Sequence, residues 1–398
     1  MPRFSVDYPT RKKIKVFTLK KIMYFVFSEL EILFDMKHNR LAGLMIVLVA
    51  SHTFIGCTKN TTSESQESAD SLVIETKKPI SQPLISNIYT ADPSAHIFNS
   101  RIYIYPSHDI EAGVPENDLG DHFAMRDYHV LSMSSMSDTI TDHGVALDIQ
   151  NIPWAGRQLW APDAAYANDL YYLYFPAKDK EDVFRIGVAT SKTPEGPFIA
   201  EKEPIKNSYS IDPCVFKDDD GAYYMYFGGI WGGQLQRWDN NEYHANASLK
   251  KGEEPALLPR VARLSKNMKS FTEEVKEVKL QDEAGHVFTE AQNDKRFFEA
   301  AWVHKYNGKY YFTYSTGDTH LINYAIGDSP YGPFTYKGVV LQPVEGWTNH
   351  HSIIAFNDKW YLFYHDVQLS GKTHLRNIKV TELIHHADGS IQPIAPYK

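Results

Sequence analysis

Cysteine is nearly absent: Cys57 and Cys214 are the two in 398 residues, so at most one disulfide can form. That rules out a disulfide framework or a cysteine-built zinc cluster as the organiser of the chain. No Gly-rich phosphate loop is present, and no Cys/His set has zinc spacing. No helix-period segment longer than a few turns stands out in the body. The apolar run Leu41–Gly56 is short for a transmembrane helix. Basic charge is scarce where nucleic acid would need it. The formal net charge is −8, and nine Lys/Arg against four acids lie before Cys57, so the rest is more acidic still. An acidic body repels phosphate backbones and argues against nucleic acid as a partner, whereas a neutral polysaccharide is not repelled.

Aromatics, by contrast, are abundant, with 25 Tyr, 21 Phe and 7 Trp. They favour strands and supply flat apolar faces on which sugar rings can stack. The N-terminal region is different in kind. Met36-Lys-His-Asn-Arg40 is a short basic start, followed by the apolar run that ends in Phe54-Ile55-Gly56-Cys57. This is the pattern of a bacterial lipoprotein signal, in which Cys57 is acylated and becomes the mature N-terminus. The competing reading is a buried apolar helix. The expectation is an exported protein held at the cell envelope through a lipid on Cys57, touching the membrane in no other way. Met36 is then the expected start of translation, with 1–35 as an extension. Residues 1–56 are read as extension plus signal, 57–83 as a polar, disordered tether, and 84–398 as one folded domain.

Within that domain the chain repeats itself. The unit is a polar or acidic residue, a short apolar strand, a turn and an aromatic-rich strand. Copies run over 91–105, 160–174, 211–226, 298–314 and 349–364. Asn168-Asp169, Asp220-Gly221, Asn307-Gly308 and Asn357-Asp358 mark hairpin turns. Third strands follow, and two of them lead into the near-identical turns Thr193-Pro-Glu-Gly-Pro-Phe198 and Ser329-Pro-Tyr-Gly-Pro-Phe334. Five such copies predict an all-β, five-bladed β-propeller. The innermost strand of each blade then lines a central channel, and the residues starting those strands converge at one mouth.

Those residues are Asp92, Asp163, Asp212 and Glu299, with a histidine pair in the fifth copy. Alone, each acid could as well cap a turn. Recurrence at one position points to chemistry. Paired carboxyl groups in different environments are what glycosidic hydrolysis needs, one as acid and one as base or nucleophile, and a third can tune the acid. The run Lys217-Asp-Asp-Asp-Gly221 lacks the full calcium loop of an EF-hand and reads as a turn.

The motifs Ala91-Asp92-Pro93, Trp160-Ala-Pro-Asp163, Ile211-Asp212-Pro213, Phe298-Glu299-Ala300 and Asn349-His-His-Ser352, in this order, resemble those of family-43 glycoside hydrolases. The resemblance runs from about Leu84 to about Ile394. It implies an inverting enzyme on a five-bladed propeller. Asp92 would be the general base, Glu299 the general acid, and Asp212 the modulator that orients Glu299 and keeps its pKa high. Inversion implies carboxyl groups roughly 6.5–9.5 Å apart, with room for a water. Asp163 is read as structural, and Trp160 as pocket wall or core. Arg376 would face the substrate or the modulating acid. His350, with His351 as the alternative, would sit near a calcium ion and its water shell in the channel. The expected substrate is a plant cell-wall oligosaccharide yielding xylose, with arabinose second. The alternatives are a surface glycan-binding lipoprotein that has lost catalysis, or a fructosidase on a related propeller. The insertion 227–298, with Trp231, Trp238 and His244, is expected to wall one side of the pocket.

Overall fold

The computed structural model describes residues 78–398. The expected extension, signal, lipid-bearing Cys57 and tether as far as 77 lie outside the described residues. Regular structure in 78–398 is strand, apart from three single turns of 3-10 helix.

The strands form five blades. The first is Tyr89–Phe98, Arg101–Asp109, Asp127–Met133 and Thr141–Asp148, paired in chain order. In the second, Asp163–Ala167 pairs with Leu170–Asp179, followed by Phe184–Ser191 and Ile199–Ala200, while Ala155–Leu159 takes the free end of Leu170–Asp179. The third is Cys214–Lys217, Tyr223–Phe227, Arg260–Arg263 and Lys276–Glu277. The fourth is Glu299–Tyr306, Lys309–Ser315, Ile322–Gly327 and Phe334–Leu341, with Leu280–Gln281 added in parallel at its edge. The fifth is His351–Phe356, Lys359–Asp366 and Asn377–Leu383. The first strands of the five blades touch in order and the fifth returns to the first, so the ring is closed.

The hairpins form where Asn, Asp and Gly accept left-handed backbone. Asn168 and Asp169 have φ of 50° and 57°, Asn307 and Gly308 48° and 74°, Asn357 and Asp358 49° and 63°. The first blade uses Asn99-Ser100 in the same way, at 52° and 62°. The third blade departs from the pattern. Its turn is longer, closed by Gly221 N–H donating to Asp218 O and Asp218 N–H to Ala222 O.

The repeated aromatic strand has a repeated job. Tyr105, Tyr174, Tyr226, Tyr314 and Tyr364 occupy equivalent places, and all are buried. A buried tyrosine needs a partner for its hydroxyl. Tyr105 donates to Pro194 O in the second blade, Tyr174 to Met268 O in the third, and Tyr226 to Pro330 O in the fourth. The two near-identical turns, at 193–198 and 329–334, thus supply acceptors for tyrosines of the preceding blade. Tyr314 instead bonds Lys295 O, and Tyr364 pairs with Ser81 Oγ. Ring burial and the polar tip together staple each blade to a neighbouring segment.

Residues near the two ends of the described chain close the ring. Lys78 and Lys398 exchange backbone hydrogen bonds, Ile80 N–H donates to Pro396 O, and Leu84 N–H donates to Ile378 O. Residues 78–83, read from sequence as the end of the tether, therefore belong to the folded body. Asp163, at the head of the second blade's inner strand, is 1% exposed. It accepts from Ser94 Oγ and pairs with His96 in the first blade, and accepts from Val215 N–H in the third. It is a structural bolt between three blades, as its sequence reading had it.

Candidate active site

Each acid is aimed by a distortion at the start of its strand. In a regular strand successive side chains alternate, and a bulge re-aims one of them. The pairing of the first blade's inner strand skips between Ala91 and Ser94, and Asp92 has φ 50°. The fourth blade skips between Glu299 and Trp302, with Ala300 at φ 60°. Asp212 has φ 56°, two residues before its strand. Left-handed backbone at non-glycine residues costs about 1 kcal/mol or more each, and such strain clusters where geometry matters.

The result is one cavity of about 330 Å³ whose lining includes Asp92, Asp212, Glu299, His350, Arg376 and Trp160. Asp163 is not among the lining residues. Aromatic walls come from Phe123, Trp231, Phe298 and Trp347. Trp231 and Trp347 lie 5.5 Å apart, and each meets Phe298 edge-on. Of the three residues picked out in the insertion, Trp231 reaches the cavity. Trp238 instead stacks on Tyr209 at 4.3 Å under the Arg185 guanidinium, and His244 does not line the cavity. A methyl group on Gly232 would sit 2.8 Å from Leu119 O. The 231–233 turn and the 116–120 loop therefore meet and close one side of the mouth.

Four neighbours bear on the Asp92 carboxylate, two of them through hydrogen bonds. Ser107 Oγ donates to Oδ2 at 2.7 Å, Arg376 Nη1 donates to Oδ1 at 2.9 Å, and His365 Nδ1 stands 3.4 Å from Oδ1. The fourth, His350, acts through space. Burial pushes the Asp92 pKa up, but Arg376, His365, His350 and the Ser107 hydroxyl outweigh it and hold the carboxyl below its ordinary value. His365 is neutral, its pKa pushed down to about 3 by burial and by Arg376. Its Nδ1 accepts the Asp92 N–H, so Nε2 carries the proton toward Thr348 O.

Arg376 bonds Asp92, expected to be the base, and makes no hydrogen bond to Asp212, expected to be the modulator. Its Nε and Nη2 form a fork on Asp109, at 2.8 and 2.7 Å, and its Nη1 serves Asp92 and Thr348. Its guanidinium lies over the Phe123 ring at 4.8 Å. Trp160 is mainly a core residue at the cavity edge. Its Nε1 donates to Phe123 O, and its ring packs on Phe184 at 4.6 Å.

The other two acids are pushed the opposite way. Glu299 is raised to about 8, first by burial and then by the Asp92 charge, with Arg376 opposing. Asp212 is raised well above its ordinary value by burial, Glu299 and Asp92, although it accepts the Ala300 N–H at 2.8 Å. His350 Nδ1 accepts the His351 N–H. Its Nε2 is buried with no hydrogen-bond partner among the described residues, 3.7 Å from Asp212 Oδ2. His351 lies deeper and pairs with Thr313 Oγ1, which leaves His350 as the channel histidine.

Asp109, Ser107, His365, Phe123 and Trp347 escaped the sequence reading. A signal existed for one of them. His365 directly follows the repeated Tyr364, where the other blades carry Pro106, Phe175, Phe227 and Ser315.

Known proteins resemble this chain over most of its folded domain. The sequence matches the family described as Glycosyl hydrolases family 43 over residues 80–391. A Bacteroides ovatus protein named xylosidase/arabinosidase is 59% identical over 77% of this chain and 95% of its own. A β-xylosidase of Xylanibacter ruminicola is 52% identical over 77% of this chain and 97% of its own. Among solved structures, a GH43 β-xylosidase/α-arabinofuranosidase from a compost microbial metagenome, a calcium-free form in complex with xylotriose, matches with a TM-score of 0.79. It is 66% identical and covers 81% of this chain and 99% of that one.

The raised pKa of Glu299 is also a stability cost. The folded chain holds a proton that the unfolded chain releases above about 4.3, so this contribution is lost as pH rises toward 8. Glu299→Gln removes that cost. Calorimetry at pH 7.5 is expected to show roughly 1 kcal/mol or more of added stability, a Tm rise of about 2–4 °C. An unchanged or lower Tm contradicts the assignment.

Proposed function

The chain belongs to glycosyl hydrolases family 43, and on that premise we propose that it is an inverting, exo-acting β-xylosidase. It releases xylose from the ends of xylan-derived oligosaccharides. The observation that carries this reading is the opposed ionisation of two acids on one small cavity, Asp92 held charged and Glu299 held protonated to about 8. Asp92 takes a proton from a water as that water attacks the anomeric carbon. Glu299 gives its proton to the departing glycosidic oxygen. Burial and the Asp92 charge keep Glu299 protonated, Asp212 holds the backbone beside Glu299 by accepting the Ala300 N–H, and Arg376 fixes the plane of the Asp92 carboxylate. The aromatic walls strip water from the sugar face. The closed side of the mouth favours a chain end over a mid-chain segment.

Release of arabinose is the second reading, supported by relatives named for both sugars. A binder without catalysis has no use for two acids driven to opposite charge states. The buried, unpartnered Nε2 of His350, which carries the proton because Nδ1 accepts, fits a place beside the water shell of a calcium ion whose ligands are oxygens. An ion there would add positive charge beside the acid ring. The Met36–Cys57 pattern supports export and lipid attachment at Cys57.

Hydrolysis of nitrophenyl β-xyloside followed by proton NMR should show α-xylose first. Asp92→Asn should lose about 10²–10⁴-fold in kcat/KM on both nitrophenyl xyloside and xylobiose. Glu299→Gln should lose far more on xylobiose, whose leaving group needs the proton. β-Xylose as first product, or wild-type turnover by Asp92→Asn, overturns the mechanism, and turnover of arabinofuranosides alone overturns the sugar. Radiolabelled palmitate should enter the full chain expressed in a bacterial host and be lost in Cys57→Ser; equal labelling of both refutes the anchor.

A further inference from the structure

Away from the cavity, the first blade gathers two histidines and two aspartates on its second, third and fourth strands. His108 Nδ1 lies 2.6 Å from Asp127 Oδ1, and His129 Nδ1 lies 2.9 Å from Asp142 Oδ1. The two imidazole rings are 4.5 Å apart. One donor atom from each of His108, Asp127 and His129 lies within 4.8 Å of the other two. None of the four residues lines the active-site cavity.

The strands explain the convergence. Asp127 and His129 are two apart on one strand and so share a face. The pairing with the fourth strand is irregular on both sides of His129, which re-aims that side chain. The side chains of His108, Asp127, His129 and Asp142 are 17%, 19%, 12% and 21% exposed, enough for an ion to enter from solvent. His129 engages Asp142 through Nδ1, leaving Nε2 as its metal-facing atom, while the paired His108 Nδ1 and Asp127 Oδ1 would part to share the ion. A carboxylate behind a ligating histidine is the arrangement that fixes ring and tautomer in metal sites.

We propose that His108, His129 and Asp127 form a binding site for a zinc-class divalent ion, with Asp142 orienting His129. Two imidazoles and one carboxylate suit zinc, copper or nickel, whereas calcium wants oxygen donors. Drawing the donors from 4.8 Å or less to the separation of about 3.4 Å that a tetrahedral zinc shell needs takes small side-chain adjustments. The ion would clamp the second and third strands of the blade that carries Asp92. It is a site apart from His350 and from any calcium in the channel.

The test is calorimetric titration of the chelator-stripped protein with zinc chloride. Wild type and His350→Gln should show the same saturable event, one ion per chain at this site, with a matching rise in Tm. His129→Gln and His108→Gln should weaken it at least about tenfold, and calcium chloride should not reproduce it. Circular dichroism of the metal-free variants establishes that they fold; if one does not, Asp127→Asn takes its place. Zinc binding that is absent from wild type, or unchanged in both histidine variants, overturns the proposal, as does loss of the event in His350→Gln alone.

Discussion

The Arg376 guanidinium lies just before the last strand of the fifth blade and is shared between two aspartates of the first. Asp109 takes its fork, and Asp92 takes the remaining edge. Its backbone also accepts the Thr90 N–H, so one residue ties the fifth blade to the first and lowers the pKa of Asp92. Arg376 and Asp109 are almost fully buried, where a lone charge would be prohibitive. The two carboxylates and one guanidinium are tolerable because every member is hydrogen-bonded, and removing one strands the others. Fold closure and the ionisation of Asp92 are thereby one electrostatic arrangement.

The same economy appears around the channel mouth. A propeller brings five strand starts together, and three of its acids sit on left-handed or bulged backbone at Asp92, Asp212 and Glu299-Ala300. Crowding them is unfavourable, and the surroundings divide the cost unequally. Asp92 has a cation and a hydroxyl beside it. Glu299 has burial and a neighbouring negative charge. That inequality of environments turns three like residues into different chemical roles. Asp163, at the corresponding place in the second blade, has its oxygens saturated by Ser94, His96 and Val215 and holds blades together.

Much of this was legible in the sequence because a propeller is a repeat. Periodicity located Asp92, Asp212, Glu299 and His350, and turn chemistry located four hairpins. The tyrosine repeated in each second strand was visible, but its role was not, since the acceptor carbonyls at Pro194, Met268 and Pro330 lie in other blades. The link from Arg376 to Asp92 joins residues 284 apart in sequence, and no local pattern encodes it. Trp231 and Trp238 look alike in sequence. Their fates were decided by a 3-10 turn that carries one to the cavity and by Tyr209 and Arg185, which bury the other. Residues 78–83 have too polar a look to announce that they close the ring.

The central claim is that Arg376 keeps Asp92 ionised while Glu299 keeps its proton. The pH dependence of kcat/KM in wild type and in Arg376→Gln tests it most directly. Wild type should hold activity between an acid limb below the ordinary carboxylate value and a basic limb near 8. In Arg376→Gln the acid limb should move to higher pH as Asp92 loses its stabilising charge. An acid limb that stays in place while the maximal rate alone falls would contradict the account.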